Sequence, residues 1–437
     1  MNVLHFVYNF FSSCLVPMVL PVVWCHERRD PERKKALVQR LGGGVPPASS
    51  ADRAEPVIWI HAVSVGEVKA ALAIVRELEK TFFQGAFVLT TTTVTGQRFA
   101  RRQVGNSVDI RYAPVDLWWP TARFLAAQRP SLLVCMETEI WPNWIAKAHR
   151  LGIKTVFING RISGRSIRSY RLIRPLIAPL LKKVAAFSMI SDSDARRMID
   201  LGAPPERVQV NGNAKIDALD AAADRRMRQA LKETYAVDDG IPVFIAGSIR
   251  GVESEIVMDA YRRLAALVPG LVFIVAPRHI ENAARIAAYA QAKRIPWQYR
   301  TDLGKGPAKR SAPVVIINTI GELRDVYSLA TVVFCGGSLV PLGGQNVLEP
   351  ALWGKPVLFG PSMEDFQEAR DLLETAGGGL CVGDGASLAE QAGKLFLDPV
   401  RARKMGRRAK QAVLANQGAA RRHAAVISEL LDLTRGR

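Results

Sequence analysis

The feature that most limits what this chain can become is a short apolar run followed by a helical stretch, repeated along most of its length. Val57 to Ile60, Phe87 to Thr92, Leu132 to Met136 and Val156 to Ile158 read as strands. After a polar stretch from Asp217 to Asp239 the pattern restarts with Pro242 to Ala246, Val272 to Val275, Val314 to Ile317, Val332 to Cys335 and Pro356 to Phe359. Strands alternating with helices, each closed by Gly or Pro, predict an α/β fold with doubly wound parallel sheets. The boundaries expected are an amino-terminal anchor over 1–27, a basic segment and linker over 28–52, a first domain over 53–220, a second over 221–415, and a closing helix over 416–437 that packs back on the first domain. Ligands of such sheets sit outside the carboxyl ends of the strands and in the cleft between domains.

Val3 to Cys25 carries no formal charge. As a helix it reaches about 34 Å at ~1.5 Å per residue, enough to cross a bilayer core. Pro17 and Pro21 fit a kinked or shallow insertion equally well. No basic residues precede the stretch and no small-residue cleavage site follows, which argues against a removed signal peptide. Arg28, Arg29, Arg33, Lys34, Lys35 and Arg40 come after it, so the body is expected in the cytoplasm, on the inner face of a cell membrane.

The 437 residues carry a formal charge of +19, which favours an anionic partner: nucleic acid, anionic lipid or a phosphorylated substrate. No helix-turn-helix, zinc-finger or RNP-like motif supports nucleic acid. With 49% hydrophobic and 23% charged residues, the whole chain is neither disordered nor fibrous. Five cysteines without a CxxC pair predict reduced thiols, and six histidines without HExxH predict no tightly held metal.

Several segments follow strands and carry chemistry. In His61 to Glu67, Glu67 opens a helix at a sheet edge, where a carboxylate can act as general base toward a hydroxyl or simply complement the helix dipole. The same segment nearly matches a G-x-S-x-G elbow at Ser64, with Ala62 for the first glycine. Glu137 and Glu139, in Met136 to Asn143, are paired carboxylates after a buried strand; they suit split acid and electrostatic roles or a helix cap. Gly336, Gly337 and Ser338, then Gly343 to Pro350, can let backbone N–H groups approach an anion, though neither G-x-G-x-x-G nor a Walker A loop is present. Ser248 with Arg250, and Pro277 with Arg278, are further candidate phosphate contacts. Arg161, Arg165, Arg168, Arg171 and Arg174, interleaved with Leu172, Ile173, Leu176 and Ile177, read as a helical basic stripe beside an apolar one, suited to anionic lipid or to solvent. Asp192 to Asp194 form a DxD that reads as helix capping.

Taken in order, these segments resemble the 3-deoxy-D-manno-octulosonic acid (Kdo) transferases of lipid A and lipopolysaccharide assembly. The resemblance runs from the apolar amino terminus through H-x-x-S-V-G-E at His61, E-T-E-x-W-P-N at Glu137, N-x-R-x-S-x-R at Asn159, Gly212 to Lys215, Pro277 to His279, T-x-G-E-L at Thr319, Gly336 to Ser338 and Gly343 to Pro361. It implies a GT-B architecture of two Rossmann-like domains facing a cleft, an inverting transfer from CMP-Kdo to lipid IVA, an anionic membrane surface as partner, no nucleic acid and no metal or other cofactor. By matching position it implies Glu67 as proton acceptor and Glu137 and Lys215 as transition-state stabilisers. Pro277, Arg278, Gly321, Glu322, Leu323, Asn346, Val347, Leu348 and Glu349 are implied as the CMP contacts. The chain departs from the family pattern at Gln345, where histidine is usual, at Asn318, where aspartate is usual, and at Ser248 to Gly251, which lack the usual T-H. The alternatives are a related enzyme using another nucleotide sugar, a UDP-hexose transferase or epimerase, and a non-catalytic basic membrane-binding protein.

Overall fold

The computed structural model describes residues 3–44, 46, 56–81, 86–104, 108–164, 166–217, 225–303 and 310–435. The chain divides into two units, residues 1–218 with 416–437, and residues 219–415.

The first unit holds β1 (Val57–His61), β2 (Ala86–Thr91), β3 (Val108–Tyr112), β4 (Leu132–Met136), β5 (Lys154–Gly160), β6 (Ala186–Met189) and β7 (Val208–Val210). They form one parallel sheet in the order β3-β2-β1-β4-β5-β6-β7. The chain winds outward from β1 to β3, then returns to lay β4 against β1, so the winding reverses between β1 and β4. Every residue of β1 and β4 is buried, as a sheet covered on both faces requires. One face packs Ile58, Ile60, Val134 and Val156 under helix Val65–Thr81 and the last helix of the chain. The other packs Trp59, Leu133 and Phe157 against Phe124 and Trp144, and the Trp59 indole N–H donates to Thr90 Oγ1 at 2.9 Å.

That last helix, Ala419–Arg435, belongs to the first unit although the whole second unit precedes it. The Asp217 carboxylate accepts the Gly418 and Ala420 N–H groups at 2.5 and 2.7 Å and caps its start. Buried His423 then bridges the Ser188 hydroxyl at 2.7 Å and the Gly212 carbonyl at 2.9 Å.

The second unit repeats the plan with β8 (Val243–Ile249), β9 (Val272–Pro277), β10 (Trp297–Tyr299), β11 (Val314–Ile316), β12 (Val332–Cys335), β13 (Val357–Phe359) and β14 (Gly379–Cys381). The order is β10-β11-β9-β8-β12-β13-β14, again parallel, with the reversal between β8 and β12.

The amino-terminal helix, Val3–Glu27, includes Pro17 and Pro21. Among the described residues it is the one helix long and apolar enough to cross a membrane. Helix Pro31–Arg40 follows, capped by Asp30, whose side chain accepts the Glu32 and Arg33 N–H groups. Of the basic segment and linker expected over 28–52, residues 45 and 47–52 lie outside the described residues.

The arginine stripe is corrected by the structure. Arg161 sits in the turn after β5, not on a helix, and Arg165 lies outside the described residues. Arg168 and Arg171 ride helix Ser166–Leu172, whereas Arg174 starts a second helix, Arg174–Leu181. Pro175 at the first turn cannot continue an incoming helix, so the ladder restarts there and the stripe breaks. Arg171 pairs with Asp200 at 2.8 Å and Arg174 donates to the Asp200 carbonyl at 2.7 Å, while Leu172 is 84% exposed.

Candidate active site

Reversal points of doubly wound sheets are where ligands bind, because the connections on either side diverge and leave a crevice at the carboxyl edge. In the first unit that point lies between β1 and β4, and both carboxylates singled out from sequence stand there. Glu67 is on the first turn after β1, and Glu137 directly follows β4.

Sequence expects Glu67 to open the helix, but the helix begins two residues earlier, at Val65. The S-x-x-E spacing explains the difference: Ser64 Oγ accepts the Glu67 N–H while its hydroxyl donates to Glu67 Oε1 at 2.9 Å, and the Val63 N–H donates to Oε2 at 3.0 Å. Ser64 is therefore engaged with a carboxylate. The one histidine of the same segment, His61, lies buried against Thr90, so the elbow is not built as a serine–histidine pair. Glu67 itself is buried. Burial first, and then the charge of Glu137, push its carboxyl above the ordinary range, against the two donors and Lys215.

Glu137 and Asn159 both adopt left-handed backbone, φ 54° and 56°, at the carboxyl ends of β4 and β5. Non-glycine residues in that region are uncommon and held only by their surroundings. The Glu137 N–H donates to the Ile158 carbonyl at 2.9 Å. The Asn159 side chain accepts the Ala214 N–H at 2.8 Å and so fixes the short helix Ala214–Asp217. That helix carries Lys215, whose ammonium pairs with the Glu137 carboxylate. The Thr138 hydroxyl donates to the Arg161 carbonyl, and the Tyr170 hydroxyl donates to the Thr138 carbonyl at 3.1 Å. Two sequence motifs thus brace one another across the tops of β4 and β5.

Glu139 completes a cluster of three carboxylates and one lysine. Burial foremost, then the charges of Glu67 and Glu137, push its carboxyl up to about 7. An acid with a raised folded-state pKa holds its proton longer when folded than when unfolded. Its contribution to stability therefore falls as pH rises from the ordinary carboxylate value to about 7. Glu139→Gln removes that penalty. The variant's melting temperature, compared with the parent's, should be similar at pH 4.5 and clearly higher at pH 8, read by circular dichroism.

In the second unit the reversal lies between β8 and β12, and the other candidate segments follow strands at that same edge. Ser248 is left-handed at φ 58°, within a register shift between β8 and β9. Pro277 ends β9, and exposed Arg278 is anchored by its N–H to the Ile249 carbonyl at 3.0 Å. Gly321 is left-handed at φ 97°; Glu322 accepts from Arg300 Nε at 2.9 Å and from the Thr319 hydroxyl; Leu323 opens a short helix. Asn318, in the place of the usual aspartate, grips Thr301 through its N–H at 3.1 Å and its hydroxyl at 2.9 Å. Asn346 donates to Glu349 at 3.3 Å and accepts the Leu348 N–H at 3.1 Å. Val347 and Leu348 are buried, so they present backbone rather than side chain.

The Gly336–Ser338 turn departs from the expectation of open N–H groups. Buried Glu253 accepts the N–H groups of Gly337 at 2.6 Å, Ser338 at 3.0 Å and Leu339 at 2.9 Å, with that of Arg250 at 3.2 Å. The anion in this nest is the protein's own carboxylate. A Cβ on Gly336 would stand 2.9 Å from Glu253 Oε2 and 2.8 Å from Ile249 Cα, which is why glycine is needed there. The Arg250 guanidinium meanwhile donates to the Leu342 carbonyl at 3.2 Å.

The DxD is also spoken for. Ser191 caps helix Asp192–Asp200 by accepting the Asp194 N–H, and Asp194 Oδ1 takes the Ile162 N–H at 2.7 Å. Among the described residues no three His, Cys, Asp or Glu side chains gather where a metal ion would be held.

Comparison with known proteins gives a consistent answer. A family model described as 3-Deoxy-D-manno-octulosonic-acid transferase (kdotransferase) matches residues 35–218. The chain is 30% identical over 435 residues to a 3-deoxy-D-manno-octulosonic acid transferase from Haemophilus influenzae, covering 98% of each. It is 29% identical to one from Bordetella pertussis, covering 95% of this chain and 97% of the relative. Among solved structures, a UDP-GlcNAc 2-epimerase from Neisseria meningitidis bound to UDP-GlcNAc is similar with a TM-score of 0.60 at 17% identity, over 86% of this chain and 99% of that one. At that identity the likeness concerns the fold.

Proposed function

Because the chain belongs to the 3-deoxy-D-manno-octulosonic acid transferase family, we propose that it moves Kdo from CMP-Kdo to a sugar hydroxyl of lipid IVA, with inversion. We place the reaction at the cytoplasmic face of an inner membrane. The observation that carries the reading is the placement of Glu67 and Glu137 just after the two strands that flank the first sheet's reversal, with Lys215 paired to Glu137 from helix Ala214–Asp217.

Glu67 takes the proton of the acceptor hydroxyl. Its raised affinity for protons suits a base working near neutral pH, and its two donors aim the carboxylate. The acceptor oxygen forms a bond to the anomeric carbon of Kdo as the bond from that carbon to the CMP phosphate oxygen breaks. The sugar carries oxocarbenium charge at that moment, which the Glu137 carboxylate offsets, while Lys215 balances the anionic cluster. CMP leaves with the electron pair. Arg278, the backbone over Gly321 to Leu323, and Asn346 with Glu349 hold the nucleotide; the Gly337 carbonyl accepts the Gly344 N–H at 2.8 Å and so steadies the Asn346 segment.

The decisive experiment is mass spectrometry of the lipid after incubating purified protein with CMP-Kdo and lipid IVA. A product heavier by Kdo is expected, and an unchanged lipid overturns the reading. CMP should raise the melting temperature while UDP does not; stabilisation by UDP alone would move the chain to the hexose-nucleotide alternative. We further propose that no metal takes part, so EDTA should leave the initial rate unchanged.

A further inference from the structure

The amino-terminal helix is fastened to the first unit at both ends. Near its start, buried His5 donates from Nε2 to Asn143 Oδ1 at 3.2 Å, and the Tyr8 hydroxyl donates to Asp116 Oδ2 at 2.9 Å. Beyond its end, helix Pro31–Arg40 is held by Arg98 Nε on Glu32 at 2.9 Å and by the Val115 N–H on the Arg40 carbonyl at 2.8 Å. The stretch from His5 to Glu27 is about 33 Å long at ~1.5 Å per residue, the thickness of a bilayer core. A helix crossing that core sets its ends on opposite sides, and both sets of tethers belong to one folded body. Spanning therefore requires breaking the His5 and Tyr8 bonds and taking one hydroxyl donor from buried Asp116.

The distribution of side chains agrees. His5, Tyr8, Asn9 and Ser12 recur at helical spacing on the face toward the protein. Apolar side chains, among them Phe6, Val7, Phe10, Phe11, Met18 and Val22, are exposed around the rest of the helix, Met18 by 74%. The helix also packs on Arg174–Leu181, just beyond exposed Leu172 and Ile173 and the cations Arg168, Arg171 and Arg174. Exposed apolar side chains beside basic residues suit contact with an anionic bilayer.

The tethers end on a hub whose Asn143 lies four residues past Glu139. Asp116 accepts the N–H groups of Asn143 at 3.0 Å and Trp144 at 3.1 Å, and the Asn143 amide donates to the Asp116 carbonyl at 2.8 Å. Those residues open helix Pro142–Arg150, which the Glu137–Glu139 turn runs straight into.

We propose that this helix lies in the plane of the membrane surface, and that His5 and Tyr8 are positioning residues that hold the Asp116–Asn143 hub and hence the Glu137–Glu139 turn. The bilayer is the partner, and the helix that meets it is also the floor of the acceptor half. The positioning role rests on the proposed transfer reaction; the disposition of the helix does not.

Two experiments test it. Asn2→Cys is made in a Cys14→Ser, Cys25→Ser background, and cells are treated with a membrane-impermeant maleimide. Labelling only after spheroplasts are lysed supports the in-plane helix; labelling of intact spheroplasts overturns it. Separately, His5→Leu with Tyr8→Phe should lower kcat about tenfold or more, as small misplacements of reacting groups do, while KM for CMP-Kdo and binding to anionic vesicles stay unchanged. His5→Gln with Tyr8 intact restores a donor and should recover kcat. An unchanged kcat, or a fall matched by lost vesicle binding or a lower melting temperature, overturns the positioning role. A wild-type chain that transfers nothing refutes the reaction and leaves the labelling result standing.

Discussion

Glu67→Gln is expected to lower the rate of Kdo transfer by about 10²–10⁴-fold, the usual worth of a positioned general base, with a melting temperature close to the parent's. The two effects separate because of what the carboxylate does for the fold. Its oxygens accept from the Val63 N–H and the Ser64 hydroxyl, and a glutamine oxygen keeps one acceptor in the same place. The folded state already disfavours the charge, through burial and the neighbouring Glu137, so a neutral side chain forfeits no charge-based stability. Initial rates with CMP-Kdo and lipid IVA, beside a circular dichroism melt, read both quantities. Equal rates in the variant and the parent would remove Glu67 from the chemistry. A rate lost together with the fold would make it a structural residue.

The second large effect belongs to a residue that the resemblance did not mark. Glu253→Ala should destabilise the second unit by about 3–5 kcal/mol, since backbone N–H groups of the turn lose a charged acceptor. The carboxylate is fully buried and gathers the N–H groups of Gly337, Ser338, Leu339 and Arg250 from the tops of β8 and β12. Alanine leaves those donors unpaired, each costing about 1–3 kcal/mol where water cannot reach. Glu253→Gln keeps one acceptor oxygen but turns an amide toward N–H donors, so its loss should be smaller, about 1–2 kcal/mol by the same reasoning. Urea unfolding measures both, and CMP affinity should fall with stability because the nucleotide segments stand on this turn. An alanine variant as stable as the parent would show that water fills the nest.

What sequence conveyed and what it withheld divide along physical lines. β1 and β4 are read directly because both faces of each are covered, which forces unbroken apolar runs. Of the strands that went unread, β3, β7, β10 and β14 are the four sheet edges. An edge strand needs no continuous apolar run, and Val108–Tyr112 indeed alternates buried and half-buried residues. β6, Ala186–Met189, is merely short and polar at Ser188. Glu67 and Glu137 were legible as carboxylates after strands. The bracing roles of Asp116, Asn159 and Glu253 were not, since the groups they serve lie at sequence separations of 27, 55 and 84. The Gly336–Ser338 turn was legible as a nest for an anion, but its composition does not reveal that the anion comes from within the chain.

The route of the backbone also sets an order of events. Helix Ala419–Arg435 seals the layer over β1 and β5, and Asp217, two residues past Lys215, caps it. A ribosome delivers those residues only after the whole second unit. The half of the enzyme made first must therefore wait, with apolar surface bare, until the half made second has been completed. A nascent chain stalled between Cys381 and Gly418 carries a finished second sheet and an unsealed first one, and loss of helix Ala419–Arg435 strips the support from the lysine-bearing helix Ala214–Asp217.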